Sequence, residues 1–513
     1  MSDGSFDPLA LEVMAHAFAA VAEEMGTVLV RGALSPNIRE RRDSSAALFD
    51  QEGRMVAQAA HIPVHLGAMP EAVRAVRDRR PRPGDTFILN DPYRGGSHLP
   101  DLTLVHAVEH EGEIGAYVAV RAHHADVGGM SPGSMPRGAH ELVQEGLILP
   151  PVRLASADGL ERDVLELILA NVRTPDERRG DLRAQLGACA AGAEAWRTLV
   201  RREGLPRVRT AGTALLAYTE RRARAAVEAL GDARGEAEDV LEGDGLSEND
   251  IVVRARVRAR GGILHVDFAG SSPAVPGNVN CPLAVTRAAC VFVVRTLLAD
   301  DVPTNDGIAA ALDIVAEPGS VVHARWPSAV AAGNVEMSQR LADLLLAALG
   351  DAGVPVPAQG QGTMNNVAFG GVGWTFYETL AGGQGAGPRG DGPSAVHVGM
   401  SNTRNTPVEA LETALPIRIE RYAVRRGSGG AGRHAGGDGV VRVYRVLEPC
   451  AVTLLTERRR HPPRGVAGGE PGGVGHNLLN EAPLPAKCGV SLRPGDVLTI
   501  ETPGGGGWGR SPG

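Results

Sequence analysis

Apolar residues recur at helical spacing in two long parts of the chain. The run Leu9–Val30 follows Asp7 and Pro8, and a capping carboxylate followed by a first-turn proline marks the start of a helix. The segment 181–230 is rich in alanine and shows the same helical period. The pattern therefore predicts one long buried helix near the N-terminus and further long helices in the middle of the chain.

Strand-like patterns occur on both sides of a Gly-rich, acidic segment at 231–250, which is the best predicted domain boundary. After it, Ile251–Arg258 and Ile263–Phe268 alternate apolar and polar residues around two glycines, as expected of a hairpin. We expect a mixed α/β fold of the α+β type with two lobes. The predicted domains are 1–235, with the long helices, and 251–513, a Gly-rich α/β domain contributing a substrate cleft and subunit contacts.

Two short apolar runs in the first lobe predict a second hairpin. They are Leu102–Val108 and Ile114–Val120, joined by the polar turn Glu109–Glu113. In an antiparallel hairpin the residues before the first strand lie beside those after the second. This hairpin would therefore bring together two groups of chemically active side chains: Asp91, His98 and Asp101 before it, and His123, His124 and Asp126 after it.

Two imidazoles and a carboxylate at an open sheet edge suit a divalent cation such as Mn, Fe or Zn, with vacant positions for substrate or water. The spacing alone leaves a purely structural role open, because the stretch has no short-range motif such as HExxH. The N-terminal lobe is thus predicted to hold a metal-binding β-hairpin region.

A run of charged residues precedes this region. It contains Arg39, Arg41 and Arg42 with Asp43, and it fits either an anion-binding site or a solvated, salt-bridged surface.

Other polar side chains are candidates for contact with a small substrate. His61 and His65 fit either the lining of the same cleft or satisfied core histidines. The segment 359–409 is dense in Gly, Asn, Thr and Gln, and its uncharged hydrogen-bonding groups include Asn365 and Asn366. Such stretches are also usual in turns.

Composition argues against several classes of function. A length of 513 residues predicts two or more domains, and a net charge of −8 with 4% aromatic residues argues against a nucleic-acid partner. We see no apolar run of about 20 residues for a membrane helix and no basic region of a secretory signal. The five scattered cysteines indicate free thiols in a reducing cytoplasm. The terminal TPGGGGWGRSPG predicts a loop and a free tail.

Lys487 is the single lysine of the chain, and it lies in a Pro-flanked segment near the C-terminus. No lysine follows a glycine-rich run, so the chain has no phosphate loop of the GK[ST] type. A lysine Schiff base is not expected either. If the reaction uses ATP, another chain is expected to hold it.

A series of short blocks, spread in one order over nearly the whole chain, carries a family resemblance. The blocks are NIRERRD (37–43), HIPVHLGAM (61–69), GDTFILNDPYRGGSHLPD (84–101), HHADVGG (123–129), SPGSMP (131–136), QEGLILPP (144–151), GDLRAQ (180–185), DFAGSSP (267–273), GQGTMNN (360–366), YETLAGGQGA (377–386), NTRNTPVE (402–409) and TPGGGGWG (502–509). In this combination and order they resemble the hydantoinase B/oxoprolinase family.

The resemblance implies a function. Similar proteins work with a hydantoinase A-type subunit that binds ATP with Mg and phosphorylates a carbonyl oxygen of the substrate. The B-type chain then completes the reaction, which in cyclic-amide members is ring opening of hydantoins, 5-oxoproline or lactams by water. In the related acetone carboxylases the B-like subunit has a Mn site, whose ligands look like His98, Asp101 and His123 here.

The expected protein is therefore the catalytic B-type subunit of a hetero-oligomeric, ATP-dependent cyclic-amide hydrolase. A cation on the three ligands would hold and activate a water. His124 or Asp126 would orient a ligand imidazole or act as base, and Asp91 is a further candidate for either role. Arg39, His65, Asn365 and Asn366 are the expected substrate contacts.

Three other readings stay open. The first is the metal-bearing subunit of an ATP-dependent ketone carboxylase of the acetone or acetophenone type, with the same metal residues. The second is an iron(II) oxygenase built on two histidines and one carboxylate. The third is a non-catalytic scaffold for the ATP-binding partner.

Overall fold

The computed structural model describes residues 7–60, 62–65 and 67–511. The α-helices in this part of the chain are α1 (Pro8–Gly32), α2 (Pro36–Arg39), α3 (Met69–Arg77), α4 (Arg162–Ala170), α5 (Pro175–Glu203), α6 (Leu205–Glu228), α7 (Leu283–Thr296), α8 (Ser338–Asp351) and α9 (Val408–Ala414). A short π-helix, Gly333–Met337, leads directly into α8. The long helices predicted near the N-terminus and over 181–230 are confirmed as α1, α5 and α6.

The strands are β1 (Ser44–Phe49), β2 (Met55–Ala60), β3 (Thr86–Leu89), β4 (Asp101–His110), β5 (Glu113–His123), β6 (Val152–Ser156), β7 (Gly159–Leu160), β8 (Arg234–Glu242), β9 (Asp250–Arg260), β10 (Ile263–Asp267), β11 (Leu312–Val315), β12 (Asn366–Gly371), β13 (Trp374–Glu378), β14 (Ile417–Arg425), β15 (Gly439–Val446), β16 (Cys450–Leu455), β17 (His476–Leu479), β18 (Ala482–Pro483), β19 (Lys487–Leu492) and β20 (Val497–Glu501). Both predicted hairpins are present, and the mixed α/β class is confirmed.

The first sheet has seven strands in the order β2-β1-β5-β4-β3-β6-β7, and its central strands β1, β5, β4 and β3 are largely buried on both faces. Because side chains alternate along a strand, β5 sends Val118 and Val120 towards α1 and α5. Tyr117 and Ala119 point the other way and pack against α3. Burial on both sides explains why the two hairpin runs are almost continuously apolar.

Three further sheets form the rest of the molecule. The second has the order β11-β10-β9-β8 and packs against α6, α7 and α8. The third (β13-β12-β16-β19) and the fourth (β14-β15-β20-β17-β18) enclose a core that includes Phe369, Tyr444 and Leu498. The segment 231–250 contains β8, which pairs along its length with β9. The division into domains at that segment remains a prediction.

The C-terminal glycines are a correction to the predicted free tail. Gly505, Gly506 and Gly507 are buried, and their N–H groups donate to carbonyls of three different segments at 2.8–2.9 Å. A Cβ atom on Gly505 would lie 2.1 Å from the carbonyl oxygen of Gln384, and one on Gly507 would lie 2.1 Å from that of Ala431. The run is glycine because backbones approach too closely for any side chain.

Helix α1 is long and apolar enough to cross a membrane by length and composition, a property that the apolar pattern of the sequence did not predict. In the fold its buried face, with Met14, Phe18, Val21, Met25 and Leu29, packs against the first sheet and α5. The fold therefore uses α1 as a core helix.

This packing yields a stability prediction. Phe18 is 2% exposed and Val13, one turn earlier on α1, is 56% exposed. We expect Phe18→Ala to lower the free energy of unfolding by about 3–5 kcal/mol, because it leaves a cavity in the core. Val13→Ala is the matched control and should change it by less than about 0.5 kcal/mol. Urea unfolding measures both, and equal effects of the two changes would contradict the packing described.

Candidate metal centre

The register of the β4–β5 hairpin sets the position of the centre. Asp101, the first residue of β4, lies directly opposite His123, the last residue of β5. The chain turns tightly just before β4, where the N–H of Asp101 donates to the carbonyl of His98 at 3.1 Å. The turn returns the His98 side chain to the same end of the sheet, so three residues from two sequence clusters meet, as the hairpin predicted.

The three side chains form a compact, buried group. His98 Nε2 lies 3.2 Å and His123 Nδ1 lies 3.4 Å from the same carboxylate oxygen, Oδ1 of Asp101. One potential ligand atom from each residue can be chosen so that all lie within 4.8 Å of one another. Among the described residues, Nε2 of His98 and Nε2 of His123 have no partner with hydrogen-bond geometry. Buried nitrogens left in this way fit a cation.

The backbone fixes how His98 presents its ring. Its Nδ1 lies 3.2 Å from the carbonyl oxygen of Ala331, so Nδ1–H donates there and the Nε2 lone pair is directed at the cluster. Such a hydrogen bond on the distal nitrogen is the usual way a ligand imidazole is oriented. Ala331 in turn donates its N–H to Glu145, whose pKa is raised to about 8 by burial.

Asp101 is held on its second oxygen as well. Ser97 Oγ donates to Oδ2 at 2.6 Å, and His65 Nε2 lies 3.5 Å from the same atom. His65 is positioned by Ser45 on β1, whose Oγ lies 2.9 Å from His65 Nδ1. Burial would raise the pKa of Asp101, but the imidazoles around it outweigh burial and hold the pKa well below its usual range. The carboxylate is thus ionised and ready to act as a ligand.

The imidazoles respond differently to the same surroundings. Burial acts to lower the pKa of His98, but the charge and contact of Asp101 outweigh it and leave the pKa raised. For His123 burial dominates and the pKa is lowered. The carboxylate of Asp43 contributes to both by raising the pKa, and its backbone carbonyl accepts the N–H of His123 at 3.0 Å. Asp43 therefore belongs to the surroundings of the cluster.

Asn366, one of the predicted substrate contacts, is linked to the centre through the ring of Tyr377. Tyr377 stacks on His123 with ring centroids 4.4 Å apart and an interplanar angle of 15°. Its hydroxyl donates to Asn366 Oδ1 at 2.7 Å, and Asn366 Nδ2 donates to Glu336 at 2.6 Å. Glu336 lies in the π-helix, and burial and the charge of Glu457 raise its pKa to about 7. π-Helical turns occur often at functional sites.

Two buried arginines complete the surroundings. Arg41 makes an ion pair with Asp43 at 3.6 Å, and its guanidinium lies 5.2 Å from the Tyr377 ring centroid. Arg121 lies on β5 two residues before His123 and hence on the same face of the sheet. Neither Arg121 nor Tyr377 is among the residues predicted from the sequence. A charged residue directly after the apolar run Ile114–Val120 and before His123 is the signal that would have identified Arg121.

Two predicted catalytic residues lie in other surroundings. The side chain of His124 extends to α5, where Nε2 donates to Gln185 Oε1 at 2.9 Å, and burial lowers its pKa to about 4. Asp126 anchors the loop after β5, because it accepts N–H groups of Gly128, Gly133 and Arg173 and pairs with the Arg173 guanidinium at 3.0 Å. These contacts support packing and loop shape, and the catalytic roles predicted for both residues stay predictions.

Of the other predicted residues, one lies in the cluster and the others make contacts elsewhere in the described structure or lie outside it. Asp91 accepts the N–H of Tyr93 at 2.9 Å and shapes its own loop. The Arg39 side chain is 52% exposed and pairs with Glu40, while Asn365 adopts a left-handed φ of 48° and binds Gln361 at 2.7 Å. His65 lies in the cluster, and His61 lies outside the described residues.

Comparison with known proteins identifies the family. A model of the Hydantoinase B/oxoprolinase family matches residues 7–511. The chain belongs to the hydantoinase B/oxoprolinase family. The resemblance stated from the sequence blocks is confirmed by this match.

Two curated relatives place the chain within the family. A 5-oxoprolinase of Dictyostelium discoideum is 35% identical over 98% of this chain and 40% of the relative. A protein of a Pseudomonas species, named as the B-type subunit of a D-/L-hydantoinase, is 30% identical over 98% of this chain and 90% of the relative. The chain thus spans about two fifths of the 5-oxoprolinase and nearly all of the hydantoinase relative.

Two solved structures share the fold. The crystal structure of an ATP-dependent caprolactamase from Pseudomonas jessenii aligns with a TM-score of 0.91 and 27% identity over 99% of this chain and 92% of that chain. An acetone carboxylase, solved without nucleotide, aligns with a TM-score of 0.86 and 19% identity over 98% of this chain and 76% of that chain. The second likeness shows the fold alone.

The position of Asp126 gives a prediction that separates structure from catalysis. Asp126→Ala removes a buried carboxylate that accepts several N–H groups, so we expect the free energy of unfolding to fall by about 2–3 kcal/mol, with metal content unchanged. Asp158→Ala, in an exposed turn, is the control and should have little effect. Urea unfolding and metal analysis give both readouts. A fully stable but inactive Asp126→Ala protein would restore the catalytic role that the sequence suggested.

Proposed function

We propose that this chain is the catalytic B-type subunit of an ATP-dependent cyclic-amide hydrolase, which opens a hydantoin, 5-oxoproline or lactam ring. The observation that carries the proposal is the buried cluster of His98, Asp101 and His123, in which two imidazoles share one carboxylate and their Nε2 atoms lack hydrogen-bond partners among the described residues. Family membership supplies the reaction class.

The donor set fits a divalent cation, for which we propose Mn, with Zn and Fe as alternatives. Two nitrogens and one carboxylate oxygen leave coordination positions open, which is typical of catalytic rather than structural sites. When bound, the cation would supply Lewis acidity that favours ionisation of a water and withdraws charge from the substrate.

The protein's own residues hold the ligands in place. Ser97 and His65 fix the second oxygen of Asp101, and the Ala331 carbonyl fixes the His98 ring. Tyr377 covers one face of His123 and so limits rotation of that ring. Such support sets ligand orientation and excludes water, both of which a reactive centre requires.

We propose that ATP and Mg are bound by an A-type partner subunit. The single lysine, Lys487, is buried and forms an ion pair with Glu457, so it is not placed to bind a nucleotide phosphate. The matched 5-oxoprolinase has the additional length that such a subunit would need, and the name of the hydantoinase relative is that of one subunit. The caprolactamase is titled ATP-dependent. The proposed assembly is a hetero-oligomer of A-type and B-type chains.

A ketone carboxylase with the same metal residues is the second candidate. The candidate is kept because an acetone carboxylase has the same fold. At 19% identity that likeness supports the fold and not the reaction. The cyclic-amide assignment has the more similar relatives in its favour, namely a 5-oxoprolinase at 35% identity and a caprolactamase at 27% identity.

The metal site is tested by metal analysis of the purified chain. We expect about one equivalent of a transition metal in the wild type and loss of most of it in His98→Ala and in His123→Ala, since each removes one ligand. His140→Ala, at an exposed position, is the control and should retain the metal. A folded wild-type chain that takes up neither Mn nor Zn would exclude the proposed centre.

The reaction is tested with the chain and its ATP-binding partner together. We expect ring opening of a lactam or hydantoin coupled to ATP hydrolysis, and a loss of at least about 100-fold in turnover for Asp101→Ala because the metal is lost. Ring opening is measured by chromatography of the product. A requirement for bicarbonate with a ketone would favour the carboxylase, and oxygen consumption without ATP would favour an oxygenase. Full activity of Asp101→Ala would leave this chain a scaffold role.

A further inference from the structure

Arg121 is buried beside the candidate metal cluster and makes no ion pair with a carboxylate among the described residues, and we propose that it forms a subsite for an oxyanion of the substrate. Within the proposed function, on which this inference rests for the identity of the ligand, the oxyanion is the phosphoryl group of the ATP-activated amide. The proposal concerns a binding residue that neither the sequence blocks nor the relatives assign.

The sheet register places Arg121 in the site. It lies opposite Thr103 on β4 and Ser45 on β1, two residues along β5 from the Asp101–His123 pair. These side chains share the face that carries the metal cluster. Ser45 Oγ also contacts His65, which reaches Asp101. The guanidinium is therefore part of the same buried group of polar residues.

The contacts of Arg121 leave part of the guanidinium unused. Nε donates to Thr103 Oγ1 at 2.8 Å and Nη2 donates to the Gly95 carbonyl at 3.2 Å. Nη1 is buried and has no hydrogen-bond partner in the described ranges. All these contacts are to neutral groups, so the positive charge is not matched by a bonded carboxylate.

Comparison with the other large buried arginines shows that this is exceptional. Within the described residues, every other arginine among the largest fully buried side chains makes an ion pair with a carboxylate. These pairs are Arg41 with Asp43, Arg178 with Asp181, Arg340 with Asp239 and Glu457, Arg442 with Glu378, and Arg458 with Asp239. The chain therefore pairs buried guanidinium groups as a rule, and Arg121 departs from the rule next to the candidate centre.

An arginine cannot escape burial by losing its proton, because the guanidinium stays charged at any ordinary pH. A buried charge without a partner is unfavourable, and proteins retain such groups mainly at functional sites. The ligand that relieves this charge must be an anion small enough to enter the cluster. Guanidinium groups bind phosphoryl and carboxylate oxygens through paired, charge-assisted hydrogen bonds.

The charge balance of the whole centre favours a phosphoryl group. The guanidiniums of Arg41 and Arg121 balance the carboxylates of Asp43 and Asp101. A divalent cation then adds positive charge that no side chain named in the cluster neutralises. A phosphoryl dianion matches that charge, whereas a single carboxylate leaves part of it uncompensated. The Arg121 subsite would hold the phosphoryl group beside His98, Asp101 and His123, the residues that would hold the cation.

The first test measures binding of inorganic phosphate to the isolated chain by calorimetry, with and without bound Mn. We expect Arg121→Gln to weaken phosphate binding by about tenfold or more, the loss of one charge-assisted pair. Arg153→Gln is the matched control, because Arg153 is an exposed arginine paired with Glu161, and it should bind phosphate like the wild type. Equal phosphate affinity in Arg121→Gln and the wild type would overturn the proposal.

Thermal unfolding separates a binding role from a structural one. Arg121→Gln should melt at or above the wild-type temperature without phosphate, since it removes a buried charge that makes no ion pair. Phosphate should raise the melting temperature of the wild type and not of the variant. A large drop in melting temperature with unchanged phosphate binding would show that Arg121 is structural. If Arg121→Gln does not fold, Arg121→Lys replaces it: the point charge keeps the chain folded but loses the paired geometry, so phosphate binding should again weaken, and unchanged binding would overturn the proposal.

Kinetics with the ATP-binding partner identify the source of the oxyanion. A phosphoryl subsite predicts that Arg121→Gln lowers kcat for both a neutral lactam and 5-oxoproline, because both would be phosphorylated. A raised KM for 5-oxoproline alone would assign the subsite to the substrate carboxylate and overturn the phosphoryl assignment. The phosphate measurements require neither ATP nor a partner. Phosphate binding through Arg121 without ATP-dependent ring opening would therefore refute the proposed function and leave the oxyanion subsite standing.

Discussion

The pairing of Asp101 with His123 across the β4–β5 hairpin is the constraint on which the centre depends. It brings a carboxylate and an imidazole into contact at a buried sheet end, and the tight turn before β4 adds His98 to the same point. A shift of the register by one residue would turn Asp101 towards α1 and α5 and place Leu102 in the cluster. The two-residue turn Glu111–Gly112, in which both residues have positive φ, fixes the register of the hairpin, so the turn determines where the polar chemistry lies.

Burial makes the interactions between charged groups in this region strong. Asp101 is ionised although it is almost fully buried, because imidazoles and a serine hydroxyl surround both of its oxygens. Elsewhere in the described residues, buried arginines are likewise paired with groups of opposite charge, as Arg340 is with Asp239 and Glu457. Polar groups left without partners are then informative. Near the centre, within the described residues, the atoms without a hydrogen-bond partner include Nε2 of His98, Nε2 of His123 and Nη1 of Arg121. The proposed cation and oxyanion would satisfy these atoms.

The proposed division of the reaction between two chains rests on what this chain contains. It has a buried cluster suited to a cation, and its single lysine is occupied by Glu457 in the interior. The match to a 5-oxoprolinase of more than twice its aligned length agrees with a reaction in which nucleotide chemistry lies in another polypeptide region. An amide is a poor electrophile, so under the proposed function ring opening by this chain would gain from an activating phosphorylation carried out by another subunit.

The sequence by itself determined the long helices, the two hairpins, the family and the three members of the candidate metal cluster. These rest on local periodicity, on turn position and on short blocks, all of which are visible along the chain. Only the tertiary structure decided which other residues join them. Tyr377 stacks on His123 from more than two hundred positions away, and Asn366 binds the Tyr377 hydroxyl. His124, next in the chain to His123, turns to α5 because neighbouring residues of an extended chain face opposite ways. The sequence could not distinguish Arg39 as a surface residue from Arg41 as an interior residue. It also predicted a free tail at the terminal glycines, because the backbone segments that pack against them are distant in the sequence. Period and spacing are properties of one segment, while burial and charge pairing depend on segments that meet only when the chain has folded.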